Sequence, residues 1–208
     1  MTSPVLRALR QGALAGLLAA GSGLSAAACG PETALVPSDN YSLAFRVCDN
    51  SLVGTVVARA TGWVAFGFSR TVSMPGSDVF MAGVRSDGTA YGVDAFAELR
   101  APPVADGSQD VTLIDATELA GVTSYSFSRL LSTGDPRDYD LTDGPYYILW
   151  AFNQTNDSLS SRHTDAGASD FPYQFAPIPE APTALLGLAG LGLLAAWLRR
   201  RAGLPAAA

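Results

Sequence analysis

The sequence predicts an all-β fold, an antiparallel β-sandwich, and three observations carry that prediction. Short runs alternate between apolar and polar side chains and are rich in Val, Ile, Phe, Tyr and Trp, which is typical of half-buried strands. Turn-forming pairs separate the runs, and no convincing amphipathic helix lies between them. The runs are residues 43–48, 52–60, 63–68, 79–84, 89–96, 111–114, 122–127 and 146–152. The turn pairs are Asp49-Asn50, Thr61-Gly62, Asp87-Gly88, Asp106-Gly107 and Asp143-Gly144.

About eight strands with this spacing are typical of an Ig-like sandwich of two sheets. Asp87-Gly88 fits the two-residue turn of a hairpin that joins the runs 79–84 and 89–96. The polar, Pro-containing segment 31–40 is predicted to lead into the first strand without being a strand itself. We therefore expect one β-sandwich domain, residues 29–176, between two terminal segments of different composition.

The charge of the chain is unevenly distributed. None of the 208 residues is lysine, and all 13 basic residues are arginine. The region from Glu32 to Glu180 holds all 19 acidic residues and eight arginines, a formal charge of −11. Such a domain repels nucleic-acid phosphates and anionic lipid headgroups, so we expect no nucleic acid partner. A neutral ligand or a cationic partner surface fits better.

Residues 1–28 are predicted to be a secretory signal peptide. Arg7 and Arg10 precede an apolar stretch, residues 12–24, and Ala26-Ala27-Ala28 supplies the small residues of a cleavage site. The mature chain would then begin at Cys29, and attachment of a lipid to this cysteine is the alternative outcome.

The chain has two cysteines, Cys29 and Cys48. An exported chain with two cysteines usually oxidises them. We therefore expect a disulfide that pins the N-terminal segment to the first strand.

The C-terminal part resembles an anchor. Residues 177–182 are predicted to be a stiff Pro-rich spacer, and residues 183–201 a transmembrane or sorting helix that ends in an arginine cluster. The apolar run 181–198 is just long enough to cross ~30 Å of hydrocarbon at 1.5 Å per residue. Together with Pro179-Glu180-Ala181-Pro182 and the terminal arginines, it resembles the bacterial PEP-CTERM sorting tail. We expect an exported domain that this helix anchors in the cell envelope or at the cell surface, with release after tail processing as the alternative.

Several motifs, in order, resemble the DOMON domain family, which includes the haem-binding cytochrome domain of the cellobiose dehydrogenase type. The resemblance covers residues 41–175. The motifs are the strand GWVAFGFS at 62–69, the step MPGSDV at 74–79, the pair FSRL at 127–130 and TGD at 133–135 with Asp138, the strand ILWA at 148–151, and the late His163. Each motif alone is modest, but their order and spacing make the resemblance specific.

The resemblance implies a non-covalently bound haem b whose iron lies between Met74 and His163. A thioether and an imidazole are a known axial pair, and this pair raises the reduction potential. His163 is the only histidine, and the lack of a Cys-x-x-Cys-His motif excludes covalent haem attachment. The plain alternatives are that Met74 packs on the end of the sandwich and that His163 is a solvent-facing loop residue.

The acidic stretch 135–143 has spaced carboxylates, which can bind Ca²⁺, but the spacing is not that of an EF-hand loop, so a solvated turn is favoured. Arg129, shortly before Thr133-Gly134-Asp135, indicates an Arg–Asp ion pair that fixes this corner. Blue-copper and zinc sites need more His and Cys ligands than the chain provides. No nucleophile elbow or phosphate-binding loop occurs.

Three functions stay open at this point. The first is an extracytoplasmic b-type haem domain that passes single electrons to a redox partner and is not itself an enzyme. The second is a haem-free module of the same fold that binds a saccharide or another ligand. The third is a structural surface or matrix protein. The pair Met74 and His163 discriminates between them, because a sugar-binding module has no need of both residues.

Overall fold

The computed structural model describes residues 28–178, which form eleven β-strands and no helix. The strands are β1 (Thr33–Ser38), β2 (Tyr41–Cys48), β3 (Ser51–Ala58), β4 (Val64–Ser69), β5 (Ser77–Val84), β6 (Ala90–Ala97), β7 (Val104–Ala105), β8 (Val111–Leu119), β9 (Val122–Leu130), β10 (Tyr147–Phe152) and β11 (Asp165–Ala168). They build two antiparallel sheets, with the orders β1-β2-β3-β9-β8 and β11-β10-β4-β5-β6-β7.

An all-β, antiparallel, two-sheet fold is thus confirmed, and every predicted run coincides with a strand to within a few residues. Three strands were not predicted: β1, β7 and β11. All three lie at sheet edges, where a strand pairs on one side only. β1 contains Pro37, which an edge strand tolerates, and its register shifts between Leu35 and Ser38. Such short or interrupted strands carry little hydrophobic alternation.

The signal peptide, apart from Ala28, and the C-terminal helix of residues 183–201 lie outside the described residues. Within residues 28–178, no helix has the length and hydropathy needed to cross a membrane.

The core lies between the two sheets, and most of its strand residues come from one face of β2, β3, β4, β5, β9 and β10. Along β9, the buried residues Tyr125 and Phe127 alternate with less buried serines. Phe127 stacks on Phe66 of β4 with 4.2 Å between ring centroids. Burying an aromatic side chain of this size contributes roughly 1.5–3 kcal/mol. Contacts of this kind hold the sheets face to face.

The outer faces of the two sheets differ. The five-stranded sheet exposes hydroxyl groups, such as those of Thr55 and Ser126, which lie 3.0 Å apart. In the six-stranded sheet, by contrast, all residues of β4 are buried. A second apolar cluster covers its outer side: Trp63, Ala65, Val79, Met81, Tyr91 and Ala97. Residues 63–68 were predicted as one of the alternating runs, but the run holds no polar residue, as is typical of a strand that is buried on both faces.

Cys29 and Cys48 are joined by a disulfide bond. Backbone hydrogen bonds connect the same segments, because Gly30 N donates to Val47 O and Asp49 N donates to Ala28 O, both at 2.8 Å. The bridge therefore ties the N-terminal segment to the end of β2. For a loop of this length, the chain-entropy model assigns about 3 kcal/mol to such a bridge.

Arg129 of β9 links the two sheets through buried charges. Its Nη1 lies 2.7 Å from Oδ2 of Asp78 in β5, and its Nη2 lies 3.5 Å from Oδ2 of Asp138. All three side chains are at most 2 % exposed. The Arg–Asp pair expected at this corner thus involves Asp78 and Asp138. Asp135 instead accepts a backbone N–H within its own turn.

Candidate functional site

A cavity of about 560 Å³ lies on the outer face of the six-stranded sheet. We call it the outer pocket. Residues of β4, β5, β10 and β11 form its floor, and three loops form its walls: residues 70–76, 98–103 and 153–164. Its volume is within the ~300–1,000 Å³ typical of small-molecule and cofactor sites.

Met74 lies in the first of these loops, between β4 and β5, and lines the outer pocket. Its side chain is partly buried and packs against the second apolar cluster. Its carbonyl accepts hydrogen bonds from both the backbone N and the hydroxyl of Ser77, at 3.1 Å and 2.6 Å. Gly76 has a φ of 76°, which a residue with a Cβ rarely adopts. A fixed turn therefore presents the thioether to the pocket.

His163 lies in the loop between β10 and β11 and lines the same pocket as Met74. Partial burial, and the neighbouring guanidinium of Arg162, lower the pKa of His163 below its usual value. The imidazole is therefore neutral at neutral pH, which is the form that binds metals through a ring nitrogen. The fold thus brings the two residues singled out from the sequence to one cavity.

The loop that carries His163 is organised by Asn153, which the sequence analysis did not identify. Asn153 is 7 % exposed, and its Nδ2 donates to the carbonyl of Arg162 at 2.7 Å and to Ser161 Oγ at 3.2 Å. Its Oδ1 accepts the backbone N–H of Thr155 and of Asn156. Asn153 thus closes the loop across its base. A polar residue directly after an apolar strand was the available signal.

The approach of this loop to the sheet explains the glycine at position 62. A Cβ on Gly62 would lie 2.6 Å from the carbonyl oxygen of Asn156 and 2.7 Å from that of Asn153. Such contacts cannot form without moving the loop backbone. Trp63, the next residue, donates from Nε1 to Ser161 Oγ at 3.0 Å. The Gly-Trp pair therefore seats the His163 loop against β4.

Asn153→Asp is expected to loosen the His163 loop while leaving the sandwich folded. The carboxylate keeps both accepted hydrogen bonds but faces the carbonyl of Arg162 with an oxygen, so the loop loses about 1–3 kcal/mol of local stability. Hydrogen exchange should show faster exchange for residues 153–164 and unchanged protection in β9. Asn156→Asp, at an exposed position of the same loop, is the control. Equal exchange in wild type and Asn153→Asp would contradict this role.

The lining of the outer pocket is predominantly apolar and contains no Asp or Glu among the described residues. Met81 of β5 is a second methionine in the lining, 3 % exposed and part of the apolar cluster on the sheet. Trp150 also contributes to the lining, but its ring packs in the main core against Tyr41 and Phe152. The pocket therefore offers methionine sulfur and the neutral imidazole nitrogen of His163 above an apolar floor.

Beneath the Met74 turn lies a group of buried carboxylates that the sequence analysis did not identify. One oxygen from each of Asp78, Asp94 and Asp138 lies within 4.8 Å of the others. Asp94 is 1 % exposed, and its Oδ1 has no hydrogen-bond partner among residues 28–178. Burial, followed by the charges of Asp78 and Asp138, raises the pKa of Asp94 to about 7. A charged residue in the apolar run of β6 was the signal in the sequence.

Asp94→Asn is expected to raise the free energy of unfolding at pH 8 by on the order of 2 kcal/mol. Because the pKa is raised in the folded state, the stability that Asp94 contributes is complete below about pH 4 and is lost as the pH rises to about 7. Asparagine keeps the hydrogen bonds that Asp94 Oδ2 accepts from the backbone of Asp110 and Val111, and it cannot ionise.

Urea unfolding of wild type and Asp94→Asn at pH 4.5 and pH 8 measures this effect. The increase in the free energy of unfolding that Asp94→Asn produces should be larger at pH 8 than at pH 4.5. Asp115→Asn removes the same charge from an exposed site on β8 and should change stability by less than about 0.5 kcal/mol. A gain from Asp94→Asn that is equal at both pH values would show that ionisation of Asp94 is not its cause.

The chain matches a protein-family model and several known proteins in sequence. Residues 37–153 match the family described as the DOMON domain. The putative DBH-like monooxygenase protein 2 of Homo sapiens is 33% identical over 144 residues, which cover 65% of this chain and 29% of that protein. The DBH-like monooxygenase protein 1 of Homo sapiens is 31% identical over 163 residues, 78% of this chain and 24% of that protein. The chain thus spans less than a third of the length of these relatives.

A solved structure shares the fold. The cytochrome b domain of pyranose dehydrogenase from Coprinopsis cinerea superposes with a TM-score of 0.50, covering 64% of this chain and 76% of that domain. The two sequences are 17% identical, so the likeness concerns the fold alone.

Proposed function

Because this chain belongs to the DOMON domain family, and because one apolar pocket is lined by both Met74 and His163, we propose that it binds haem b without a covalent bond and transfers single electrons. The shared pocket is the observation that carries the proposal. The two residues come from loops at opposite ends of the strand pair β4–β10, and a packing role for either one would not require the other to be nearby.

Each residue has a definite role in this proposal. His163 supplies a neutral imidazole nitrogen and Met74 a thioether sulfur, and together they bind the haem iron. Haem supplies an iron that alternates between the ferric and ferrous states. The apolar floor excludes water, and the fixed turns at Met74 and Asn153 hold both side chains in one arrangement. A ligand set that stays in place suits electron transfer, because little has to rearrange.

The chemistry of the lining fits this cofactor. A flat apolar macrocycle needs an apolar cavity, and the floor provides Ala65, Val79 and Ala151. The lowered pKa of His163 keeps its imidazole free to bind iron at neutral pH. No carboxylate of the described residues lines the pocket to compete with the sulfur and nitrogen donors.

A saccharide fits the same pocket less well. Sugar recognition needs several polar groups that converge on hydroxyls. The serines of the lining are partly engaged, because Ser77 Oγ donates to the carbonyl of Met74 and Ser161 Oγ donates to that of Ser158. The remaining lining residues are mostly apolar.

We also propose that the domain works outside the cytoplasm, anchored by the predicted helix at residues 183–201, and exchanges electrons with a redox partner there. The disulfide Cys29–Cys48 supports export, because such bonds persist in oxidising compartments. The relatives are named for monooxygenase activity, and this chain matches 24–29% of their length. For the matched domain itself we propose electron transfer without catalysis. Carbonate-washed membranes should retain the full chain and release a chain that ends at residue 178.

An absorption spectrum tests the proposal. The full-length chain, exported with haem available and purified in mild detergent, should be red, and its reduced form should show the sharp bands of a low-spin b-type haem. A colourless protein that also fails to take up added haemin would overturn the proposal and favour a haem-free module.

A further inference from the structure

The charge of the outer pocket is opposite to that of the domain around it. Residues 28–178 contain 18 acidic residues and eight arginines. The pocket lining, however, contains two arginines, Arg100 and Arg162, and no acidic residue. In a domain this acidic, a pocket whose charged side chains are all cationic is suited to a ligand that carries negative charge.

The two arginines lie on different walls of the pocket. Arg100 is in the loop between β6 and β7, and Arg162 precedes His163 in the loop between β10 and β11. Both residues are exposed, so they line the cavity where it meets solvent. Neither forms an ion pair within residues 28–178, whereas Arg70, Arg129 and Arg137 each pair with a carboxylate.

The backbone positions of these arginines are also defined. The carbonyl of Arg162 accepts a hydrogen bond from Nδ2 of the buried Asn153 at 2.7 Å. Arg100 precedes Pro102 and Pro103, which restrict the backbone and themselves line the pocket. The guanidinium groups are therefore available for a ligand, and the chain that carries them is held in place.

An apolar floor with cations at its solvent side selects an amphiphilic anion, a molecule with a flat apolar body and carboxylates at one edge. We propose that Arg100 and Arg162 bind the carboxylates of the pocket ligand and set its orientation. This inference rests on the proposed function, in which the carboxylates are the propionates of haem b. Guanidinium groups bind carboxylates through paired N–H donors, so each contact adds direction as well as affinity.

The consequence for orientation is specific. Arg100 and Arg162 would hold the carboxylates at the loops 98–103 and 153–164, and the apolar residues of the sheet would contact the rest of the ligand. Arg162 is adjacent to His163, so carboxylate binding and iron ligation depend on the same loop. Loss of the arginines should therefore weaken selection for the acid form of the porphyrin and leave the recognition of its apolar body unchanged.

The experiment compares two iron porphyrins that differ only in their carboxylates. Haemin and its dimethyl ester are titrated into the haem-free full-length chain in mild detergent, and the Soret absorbance reports the dissociation constants. The wild type should bind haemin about tenfold more tightly than the ester. In the double variant Arg100→Gln/Arg162→Gln, haemin should bind about tenfold more weakly and the ester as before, so the preference disappears.

Arg46→Gln is the matched control. It removes the same charge from an exposed position of β2 in the other sheet and should keep the preference for haemin. Circular dichroism should show the same β-sheet spectrum for all variants. Equal wild-type affinities for the two porphyrins, or an unchanged preference in the double variant, would overturn the role of the arginines and leave the haem proposal intact. A wild type that binds neither porphyrin would overturn both.

Discussion

Replacing His163 with alanine is expected to remove most of the haem from the purified protein. The chain has no second histidine to take its place. The remaining candidate ligand, a methionine sulfur, is a weak donor, so the variant should retain only a small, loosely bound fraction with altered absorption bands. The readout is the haem content per chain, from the pyridine haemochrome assay, in parallel with the thermal unfolding of the protein portion.

The methionine side of the site allows a sharper comparison, because both Met74 and Met81 line the outer pocket. Leucine has nearly the volume of methionine and lacks the sulfur, so each substitution removes a ligand with little loss of packing. Met74→Leu should abolish the low-spin methionine-ligated spectrum and lower the reduction potential. Met81→Leu should change neither, because Met81 is 3 % exposed and packs in the cluster on the sheet. The reverse result would make Met81 the ligand.

The second large effect concerns stability. Arg129→Met is expected to lower the free energy of unfolding by about 3–5 kcal/mol, because Asp78 and Asp138 would remain buried without their cation. Burial already raises the pKa of Asp78 despite the nearby guanidinium. The deficit should therefore shrink at acidic pH, where the carboxylates take up protons. Urea unfolding at pH 8 and pH 5 measures both statements.

Arg46→Met is the control for this prediction. It removes the same charge from an exposed position of β2, where Arg46 forms no ion pair within residues 28–178, so it should change the free energy of unfolding by less than about 0.5 kcal/mol. If both substitutions lower the free energy of unfolding equally, the buried ion pair stabilises the fold no more than an exposed charge does. A loss from Arg129→Met that is as large at pH 5 as at pH 8 would point to lost packing as the cause.

The buried corner also supports the pocket. Tyr139 donates its backbone N–H to Asp78 Oδ2 at 3.1 Å, and its hydroxyl donates to the carbonyl of Gly76, two residues after Met74. Its own carbonyl accepts from Arg129. Three hydrogen bonds of Tyr139 thus connect the turn that presents the thioether to the ion pair. We expect the folded fraction of Arg129→Met to bind haem more weakly as a result.

The fold could be predicted from the sequence because most of its strands show a local alternation of buried apolar and exposed polar residues. The β9 pattern of Tyr125 and Phe127 between serines is an example. The edge strands could not, since their pairing depends on which neighbour comes close in three dimensions. The apolar outer face of β4 was visible as an uninterrupted run at 63–68, but such a run alone does not tell a covered sheet face from a strand in the middle of a core.

The candidate ligands were identified through family resemblance, whereas their common pocket required the structure. The position of His163 depends on the contact between Gly62 and the loop at Asn156, and on the hydrogen bond from Trp63 to Ser161. These contacts join residues about a hundred positions apart, and no local pattern encodes them. Asn153 and Asp94 were missed for the same reason, since their importance lies in what surrounds them.

The separation of the pocket from the main core has a consequence for biogenesis. The aromatic residues that join the two sheets, such as Phe66 and Phe127, are buried in a core that includes no residue of the loops that carry Met74 and His163. We therefore expect the polypeptide to reach its sandwich structure before it acquires a cofactor, and the haem-free form should show the same cooperative thermal unfolding by circular dichroism. A chain with this order of maturation can cross the membrane without haem. It can then fold and form its disulfide outside the cytoplasm, and bind haem there as the last step.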